Sequence, residues 1–187
     1  MDAGEIVDTL IKKGLTVSCA ESCTGGLLAS AFVDIPGSSA CFKEGYVTYS
    51  NEVKERVLGV PAAVIDTYGV VSGECAAEMA KCLRSITGSD FALSTTGIAG
   101  PDGGTDLTPV GTVFIGCSYC LRVIRAGCAC EFKEIPQASP PYDSSGISTN
   151  SSRTVVQKFI FSGERNDVRA QAVAAALALL EKELKNA

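Results

Sequence analysis

The chain has 187 residues, of which 46% are hydrophobic and 20% charged, and it carries a formal net charge of −5 at pH 7 without any histidine. This length predicts one well-buried domain rather than two, and the acidic balance argues against broad nucleic-acid binding. No apolar run reaches the roughly 18–20 residues of a membrane span, and the first 15 residues lack a signal-peptide core, so we expect a cytoplasmic protein with no membrane partner.

The first half of the chain predicts an alternation of helices and strands. Residues 5–13 predict an amphipathic helix that ends at Gly14, residues 15–20 a strand, residues 26–33 an apolar helix and residues 41–50 a β-prone strand. Asn51 resembles the N-cap of a short helix, and Pro61 can begin another. Ser72 predicts the cap of a long helix through residue 86, which ends at Gly88.

The second half predicts three strands, at residues 90–96, 110–120 and 154–161, and a long helix at residues 166–185. The stretch from about 121 to 153 differs in composition and is interpreted as an inserted loop. This order of elements predicts an α/β fold with a mixed sheet and helices on its faces. We expect residues 1–187 to form a single domain.

The most informative motif is AESCTGG at residues 20–26, between a predicted strand and a predicted helix. Ser22 and Cys23 place two nucleophiles at a turn whose free backbone N–H groups can hold an anion. Because the chain has no histidine, hydrolysis would need a lysine, a carboxylate or a tyrosine as its base. Three alternatives stay open: Ser22 or Thr24 caps the helix, Cys23 packs in the core, or Cys23 is itself the nucleophile.

Lys54 is the best candidate for the base. It lies at the first turn of a predicted helix, five residues after Tyr49, where the helix N-terminus and partial burial both favour the neutral amine. Tyr49 can hydrogen-bond that amine or relay a proton. The alternative is an ordinary solvated lysine in the charged run at residues 52–56.

Two other segments are candidates for ligand binding. The loop at residues 96–104 offers the Thr96 hydroxyl and successive backbone N–H groups at a strand end, where α/β proteins commonly bind ligands. Its spacing matches neither a P-loop nor a dinucleotide motif. Arg165 and Arg169 lie four residues apart on one helical face. They can receive a phosphate, or pair with Glu164 and Asp167.

Nine cysteines are spread along the chain. We expect them to be reduced thiols, several of them filling apolar positions. Cys117-x2-Cys120 and Cys128-x-Cys130 resemble a metal site only superficially, because the first pair lies within a predicted strand and the C-x-C spacing is unusual for zinc. We predict no metal and no cofactor, and a thiol or metal sensor is kept as an alternative.

Four segments together closely resemble the CinA C-terminal domain family. They are AESCTGG at 20–26, PGSSACFKEGYVTYSNEVKERVLGV at 36–60, STTGIAGPDGGTDLTPVGTVFIG at 94–116 and FSGERNDVRAQAV at 161–173. Members of the family include stand-alone bacterial nicotinamide-nucleotide amidases, and the resemblance covers roughly residues 2–120 and 154–184. The chain departs from the family pattern by inserting about 30 residues between its last two strands.

The resemblance implies a three-layer α/β/α sandwich that hydrolyses the carboxamide of nicotinamide mononucleotide, giving nicotinate mononucleotide and ammonia. It implies a serine–lysine amidohydrolase with Ser22 as nucleophile, Lys54 as base and Tyr49 close by, acting on a small pyridine nucleotide. Homo-oligomer formation is left open, and a non-catalytic nucleotide-binding or interaction domain is the alternative function. The expected substrate-binding residues are Glu21, Cys23, Thr24, Gly25, Gly26, Ser38, Ser39, Thr96, Gly97, Ala99, Gly100, Arg165 and Arg169.

Overall fold

One mixed sheet of five strands forms the centre of the structure, a computed structural model that describes residues 2–120 and 152–186. The strands are β1 (Val17–Glu21), β2 (Phe42–Val47), β3 (Phe91–Gly97), β4 (Thr112–Cys120) and β5 (Ser152–Ile160). In space they are ordered β2-β1-β3-β4-β5. The first three are parallel, and β4 is antiparallel to both β3 and β5. The predicted mixed sheet is therefore confirmed.

Helices cover both faces of this sheet. They are α1 (Ala3–Lys13), α2 (Leu27–Val33), α3 (Asn51–Val53), which continues into a π-helical turn (Lys54–Leu58), α4 (Ala62–Tyr68), α5 (Gly73–Thr87) and α6 (Arg165–Asn186). Helices α1, α2 and α6 pack on one face, and α4, α5 and the π-helical turn pack on the other. This arrangement is the three-layer α/β/α sandwich that the family resemblance implies.

The ends of several helices follow from local capping. The Ser72 hydroxyl accepts the backbone N–H of Cys75 and begins α5, and Gly88 ends it in a left-handed conformation, as predicted. The predicted cap Asn51 is wrong by one position. Ser50 is the N-cap, because its hydroxyl accepts the Val53 N–H at 3.2 Å. Both residue types cap helices well, so the sequence does not separate them.

Two hydrophobic clusters fill the spaces between the layers. The first joins α1, α2 and α6 to one face of the sheet, with Phe32 and Ile115 among its buried side chains. The second joins α4, α5 and the π-helical turn to the other face, with Leu58 and Met79 among its buried side chains. Strand β1 is buried along its whole length because it lies between both layers.

Gly116 allows α5 to lie close against β4. A Cβ atom added there would lie 2.6 Å from the Ala76 carbonyl oxygen and 2.5 Å from Ser94 Oγ. No larger residue fits between the helix and the sheet at this position. Among residues 2–120 and 152–186, no helix combines the length and hydropathy that a membrane crossing requires.

The parallel strands β1, β2 and β3 all end at the same edge of the sheet. Strand β4 begins and strand β5 ends at that edge too, since Thr112 pairs with Ile160, and α6 begins a few residues later. Cys120 and Ser152 pair at the opposite edge. The inserted loop inferred from the sequence at about residues 121–153 lies mostly outside the described residues. Its last two residues, 152 and 153, belong to β5 and not to a loop. The carboxyl edge of parallel strands is where such sheets commonly bind ligands.

Candidate active site

Ser22 and Lys54 meet at the carboxyl edge of the sheet. Lys54 Nζ lies 3.1 Å from Ser22 Oγ, although the two residues are 32 positions apart in the chain. Ser22 lies directly after β1, and Lys54 is the first residue of the π-helical turn. π-Helical turns are rare and are often found at functional sites. The two candidates for nucleophile and base are therefore within hydrogen-bond distance of each other.

The surroundings of Lys54 favour its neutral form. The side chain is only 1% exposed, and its amine also donates a hydrogen bond of 2.9 Å to the carbonyl oxygen of Thr48. Burial lowers the pKa of Lys54 from its ordinary value of 10.5, with the sulfur atoms of Cys75 and Cys23 opposing the shift. Both hydrogen-bond partners are uncharged, so neither supplies a negative charge that would raise the pKa of Lys54 again. An amine in this setting can accept the proton of a hydroxyl group.

Cys23 has a different environment from its neighbour Ser22. It is 5% exposed and belongs to the first hydrophobic cluster, although it also borders the cavity described below. Burial is the main cause that raises the pKa of Cys23 to about 11. The thiol therefore stays protonated near neutral pH, where thiolate is the reactive form. These observations favour packing, the first of the two alternatives for Cys23.

A cavity of about 230 Å³ opens beside Ser22 and Lys54. The loop after β3 forms one wall, and the segment that precedes α5 forms another. Its lining residues are Ser22, Cys23, Tyr49, Asn51, Lys54, Val70, Val71, Thr96, Gly97, Ile98, Ala99, Gly100, Asp102 and Arg165. Reactive, polar and apolar groups thus converge on one small space, which is typical of a small-molecule site.

The loop after β3 keeps its shape through close packing. The Thr96 hydroxyl donates to the Val70 carbonyl oxygen at 2.6 Å, which joins two walls of the cavity. A Cβ atom at Gly97 would lie 2.6 Å from the Thr112 carbonyl oxygen. Gly100 has a left-handed φ of 86° and equally little room beside Val110. Both glycines are therefore required by the loop conformation.

Arg165 closes one side of the cavity. Its guanidinium donates to the Gly100 carbonyl oxygen at 2.6 Å and to the Tyr49 hydroxyl at 3.0 Å. Tyr49 is 62% exposed, and the predicted hydrogen bond between Tyr49 and the Lys54 amine is not formed within the described part of the chain. Arg169 does not line the cavity, because it donates to the Thr24 carbonyl oxygen at 2.8 Å. Of the two arginines, only Arg165 faces the space where a ligand would lie.

Several expected substrate-binding residues lie away from the cavity. The Glu21 carboxylate points to the opposite face of the sheet and accepts backbone N–H groups of the turn before α2 and of α2 itself. The Thr24 hydroxyl is buried against Thr95 at 2.7 Å. Gly25 and Gly26 have left-handed φ values of 60° and 99° and shape the turn after Ser22. None of these four residues lines the cavity.

Ser38 and Ser39 lie at the other edge of the sheet. They belong to a short 3-10 turn that precedes β2, whereas the cavity lies beyond the carboxyl end of β2. The length of the strand separates these serines from Ser22. The structure of the single chain therefore does not bring them to Ser22 and Lys54.

Part of the cavity wall comes from residues outside the motifs singled out in the sequence. Val70, Val71 and Ile98 supply its apolar surface, and the Thr48 carbonyl holds the lysine. Thr48 directly follows β2, so the strand-end rule could have found it. No local signal identifies the valines, because their position depends on how α5 packs against the sheet.

The cysteine pair in β4 does not form a metal site. Cys117 is buried in the first hydrophobic cluster, and strand alternation directs Cys120, three residues later, to the opposite face. Within residues 2–120 and 152–186, no group of three or more Cys, Asp or Glu side chains is arranged to hold a metal ion. Cys128 and Cys130 lie outside the described residues. The described cysteines are free thiols.

Comparison with known proteins gives consistent matches. The family model for the CinA C-terminal domain matches residues 2–132. The chain is 52% identical over 137 residues to a nicotinamide-nucleotide amidohydrolase PncC of Shewanella oneidensis, covering 73% of this chain and 31% of that protein. It is 43% identical over 176 residues to a CinA-like protein of Geobacter sulfurreducens, covering 94% of this chain and 35% of that protein. The chain spans about a third of the length of these curated relatives.

Solved structures match over nearly the whole chain. A CinA superfamily protein of Klebsiella pneumoniae has a TM-score of 0.77 at 30% identity and covers 100% of both chains. The competence/damage inducible protein CihA of Agrobacterium tumefaciens has a TM-score of 0.75 at 32% identity, covering 99% of this chain and 96% of its own. The layered fold described above is therefore the fold of these proteins.

Proposed function

This chain belongs to the CinA C-terminal domain family, and from that premise we propose that it hydrolyses the carboxamide of nicotinamide mononucleotide by a serine–lysine mechanism. The observation that carries the proposal is the distance of 3.1 Å between Lys54 Nζ and Ser22 Oγ at the wall of a cavity. The burial that lowers the pKa of Lys54 supports its role as base. The name of the Shewanella oneidensis relative supports the class of substrate.

The first half of the reaction forms an ester on the serine. Neutral Lys54 takes the hydroxyl proton of Ser22 while Ser22 Oγ attacks the carboxamide carbon. Lys54 then gives this proton to the amide nitrogen, the carbon–nitrogen bond breaks and ammonia leaves. In the second half, Lys54 takes a proton from water, the resulting hydroxide attacks the ester carbon, and the proton returns to Ser22 Oγ as nicotinate mononucleotide departs. Each step uses one base and needs no other proton acceptor.

The turn after Ser22 offers donors for the negative oxygen of the tetrahedral intermediates. The Ser22 N–H is already used, since it donates to the Thr95 carbonyl at 2.9 Å. In the described part of the chain, the Cys23 N–H donates to no backbone carbonyl oxygen, although it approaches the sulfur of its own side chain. Cys23 lines the cavity, whereas Thr24 and Gly25 do not, so we assign the oxyanion to the Cys23 N–H. Backbone donors fixed in this way stabilise an oxyanion strongly. The Thr96 hydroxyl is a weaker candidate because it already donates to the Val70 carbonyl oxygen.

The remaining walls suit the rest of the nucleotide. Val70, Val71 and Ile98 offer an apolar surface for the flat pyridine ring. Arg165 offers a fixed guanidinium for the phosphate, because the Gly100 carbonyl and the Tyr49 hydroxyl hold it at the cavity. We assign the phosphate to Arg165 rather than Arg169, which lies off the cavity. Tyr49 is then a residue that orients Arg165.

Ammonia release from nicotinamide mononucleotide tests this function. The pure, metal-stripped protein should release one ammonia for each nicotinate mononucleotide formed, with no metal added back. Variant Ser30→Ala, in an exposed serine of α2, serves as a control for serine replacement in general. If calorimetry shows that the nucleotide binds but no ammonia is released, the result supports the alternative, a binding domain that retains the pocket.

A further inference from the structure

Glu21 and Ser22 are consecutive residues whose side chains lie on opposite faces of the sheet. Along β1, Cys19 packs in the first hydrophobic cluster and Ala20 in the second, so the faces alternate. Glu21 continues on the side of α2, whereas Ser22 meets Lys54 on the side of the π-helical turn. The Glu21 carboxylate is therefore close in sequence to the nucleophile but separated from the cavity by the backbone.

The Glu21 carboxylate accepts three N–H groups of the backbone that follows Ser22, and the Cys19 thiol also donates to Oε1 at 3.5 Å. Oε2 accepts the N–H groups of Gly26 at 2.9 Å and Leu28 at 3.0 Å, and Oε1 accepts the Ala29 N–H at 2.8 Å. Only 1% of the residue is exposed. Gly26 occupies the N-cap position of α2 and has no side chain to cap the helix. The glutamate thus replaces the missing cap from five residues upstream.

The turn at residues 22–26 is held from three further directions. The Ser22 N–H donates to the Thr95 carbonyl at 2.9 Å, and the Thr24 hydroxyl bonds Thr95 Oγ1 at 2.7 Å. Arg169 donates to the Thr24 carbonyl at 2.8 Å. These contacts fix the start and the middle of the turn, and Glu21 is the group that fixes its end. Together these contacts leave the Cys23 N–H, at the cavity wall, without a backbone carbonyl acceptor in the described part of the chain.

We propose that Glu21 is the positioning residue of the nucleophile turn, holding Ser22 against Lys54 and keeping the Cys23 N–H beside the space for the carbonyl oxygen of the substrate. This role rests on the proposed function, and it replaces the substrate-binding role expected for Glu21. The position of the Glu21 carboxylate also bears on where the nucleotide binds. The start of α2 already holds one anionic group, so the substrate phosphate must bind elsewhere, in agreement with its assignment to Arg165.

The test compares two isosteric changes of buried glutamates. Glu21→Gln removes the charge and leaves one acceptor oxygen for three N–H groups. Glu183→Gln is the matched control, because Glu183 is equally buried but accepts from the Tyr119 hydroxyl at 2.6 Å in the packing of α6 against β4. The reactivity of Ser22 is measured with phenylmethylsulfonyl fluoride, which sulfonylates an activated serine and releases fluoride. Mass spectrometry gives the labelling rate at Ser22 without any nucleotide.

In folded Glu21→Gln we expect Ser22 labelling to slow by about 10-fold or more, since a misplacement of roughly 1 Å can cost about 100-fold. With nicotinamide mononucleotide, kcat should fall while KM changes little, as for an interaction needed in the transition state. Hydrogen exchange at the amides of Gly26, Leu28 and Ala29 should accelerate. Glu183→Gln should resemble the wild type in all three measurements.

Labelling of Glu21→Gln at the wild-type rate would overturn the positioning role, and so would a wild-type Ser22 that is never labelled. If labelling slows in Glu21→Gln but the wild type releases no ammonia, the proposed substrate is wrong and the positioning role stands. Glu21→Asp provides a second variant, with the charge kept and the reach shortened, for the case in which Glu21→Gln does not fold. Its labelling should also be slowed, and a wild-type rate would again overturn the proposal.

Discussion

The Lys54 amine donates a hydrogen bond of 2.9 Å to the carbonyl oxygen of Thr48, a residue six positions earlier in the chain. The amine is therefore held by the dipole of a neutral backbone carbonyl and not by a negatively charged carboxylate. A carboxylate in the same place would stabilise the ammonium form and raise the pKa of the lysine. The backbone carbonyl fixes the nitrogen while leaving its lone pair free for the hydroxyl proton of Ser22. Position and protonation state are thus set by the same local geometry.

Replacement of each nucleophile candidate separates their roles. We expect Ser22→Ala to lower kcat for ammonia release by about 1,000-fold or more, as loss of a nucleophile in a coupled dyad does. Cys23→Ala should change kcat much less, because its thiol stays protonated and packs in the core. Full activity in Ser22→Ala together with loss in Cys23→Ala would reverse the assignment.

The pH dependence of kcat/KM should report Lys54. The base acts only when it is neutral, and burial lowers its pKa from 10.5. The rate should therefore rise with pH, through an ascending limb whose midpoint lies below 10.5, and then level off. Lys54→Arg should be inactive over the same range, because a guanidinium stays protonated. A rate that does not depend on pH in this range would argue against Lys54 as the base.

Lys54 should make the folded state less stable than a neutral side chain of similar size would. Its folded pKa is depressed, so between that pKa and 10.5 the unfolded chain binds more protons, and stability rises with pH over this window. Lys54→Met removes this cost, and we expect relief of about 1 kcal/mol, or roughly 2–4 °C in the unfolding midpoint at this length. The gain should shrink as pH rises toward 10.5. Calorimetric unfolding at several pH values measures it, and a lower midpoint in the inactive variant would contradict it.

The contact between Ser22 and Lys54 was predictable from the sequence, whereas about half of the expected substrate-binding residues lie off the cavity for physical reasons. The strand–turn–helix order around Ser22 and the absence of histidine led to Lys54, and the two meet as expected. The direction of Glu21 was not predictable, because β1 is buried on both faces and shows no alternation of polar and apolar residues. Helical spacing placed both arginines on one face of α6, but only the packing of that helix sends Arg165 to the cavity.

Arg165→Gln tests the phosphate assignment. Loss of a charge-assisted contact should raise KM for nicotinamide mononucleotide by about 10-fold or more. KM for nicotinamide riboside, which has no phosphate, should change little, and this comparison separates lost phosphate binding from a disturbed loop. Arg56→Gln, at an exposed arginine in the π-helical turn, is the control. An equal rise in KM for both substrates would remove Arg165 from the phosphate site.

Gly116→Ala tests the close approach of α5 to the sheet. Its Cβ would lie within 2.6 Å of the Ala76 carbonyl and Ser94 Oγ, so we expect a loss of about 1–3 kcal/mol from overpacking. Gly73→Ala is the matched control in the same interface, because its Cβ would meet Phe114 and Val156 at an ordinary 3.7 Å. In denaturant unfolding, the midpoint of Gly116→Ala should be lower than that of the wild type, and the midpoint of Gly73→Ala should not be lowered. Equal stability of the two variants would contradict the packing argument.

The alternating faces of β1 also restrict how this segment can change in evolution. Inserting or deleting one residue in Val17–Glu21 would move the side chains that follow it in the strand to the opposite face of the sheet. We expect the Glu21 carboxylate then to lie on the side of Lys54 and the Ser22 hydroxyl to lie on the side of α2, away from its base. The number of residues in the strand therefore matters to the site as much as their identity does.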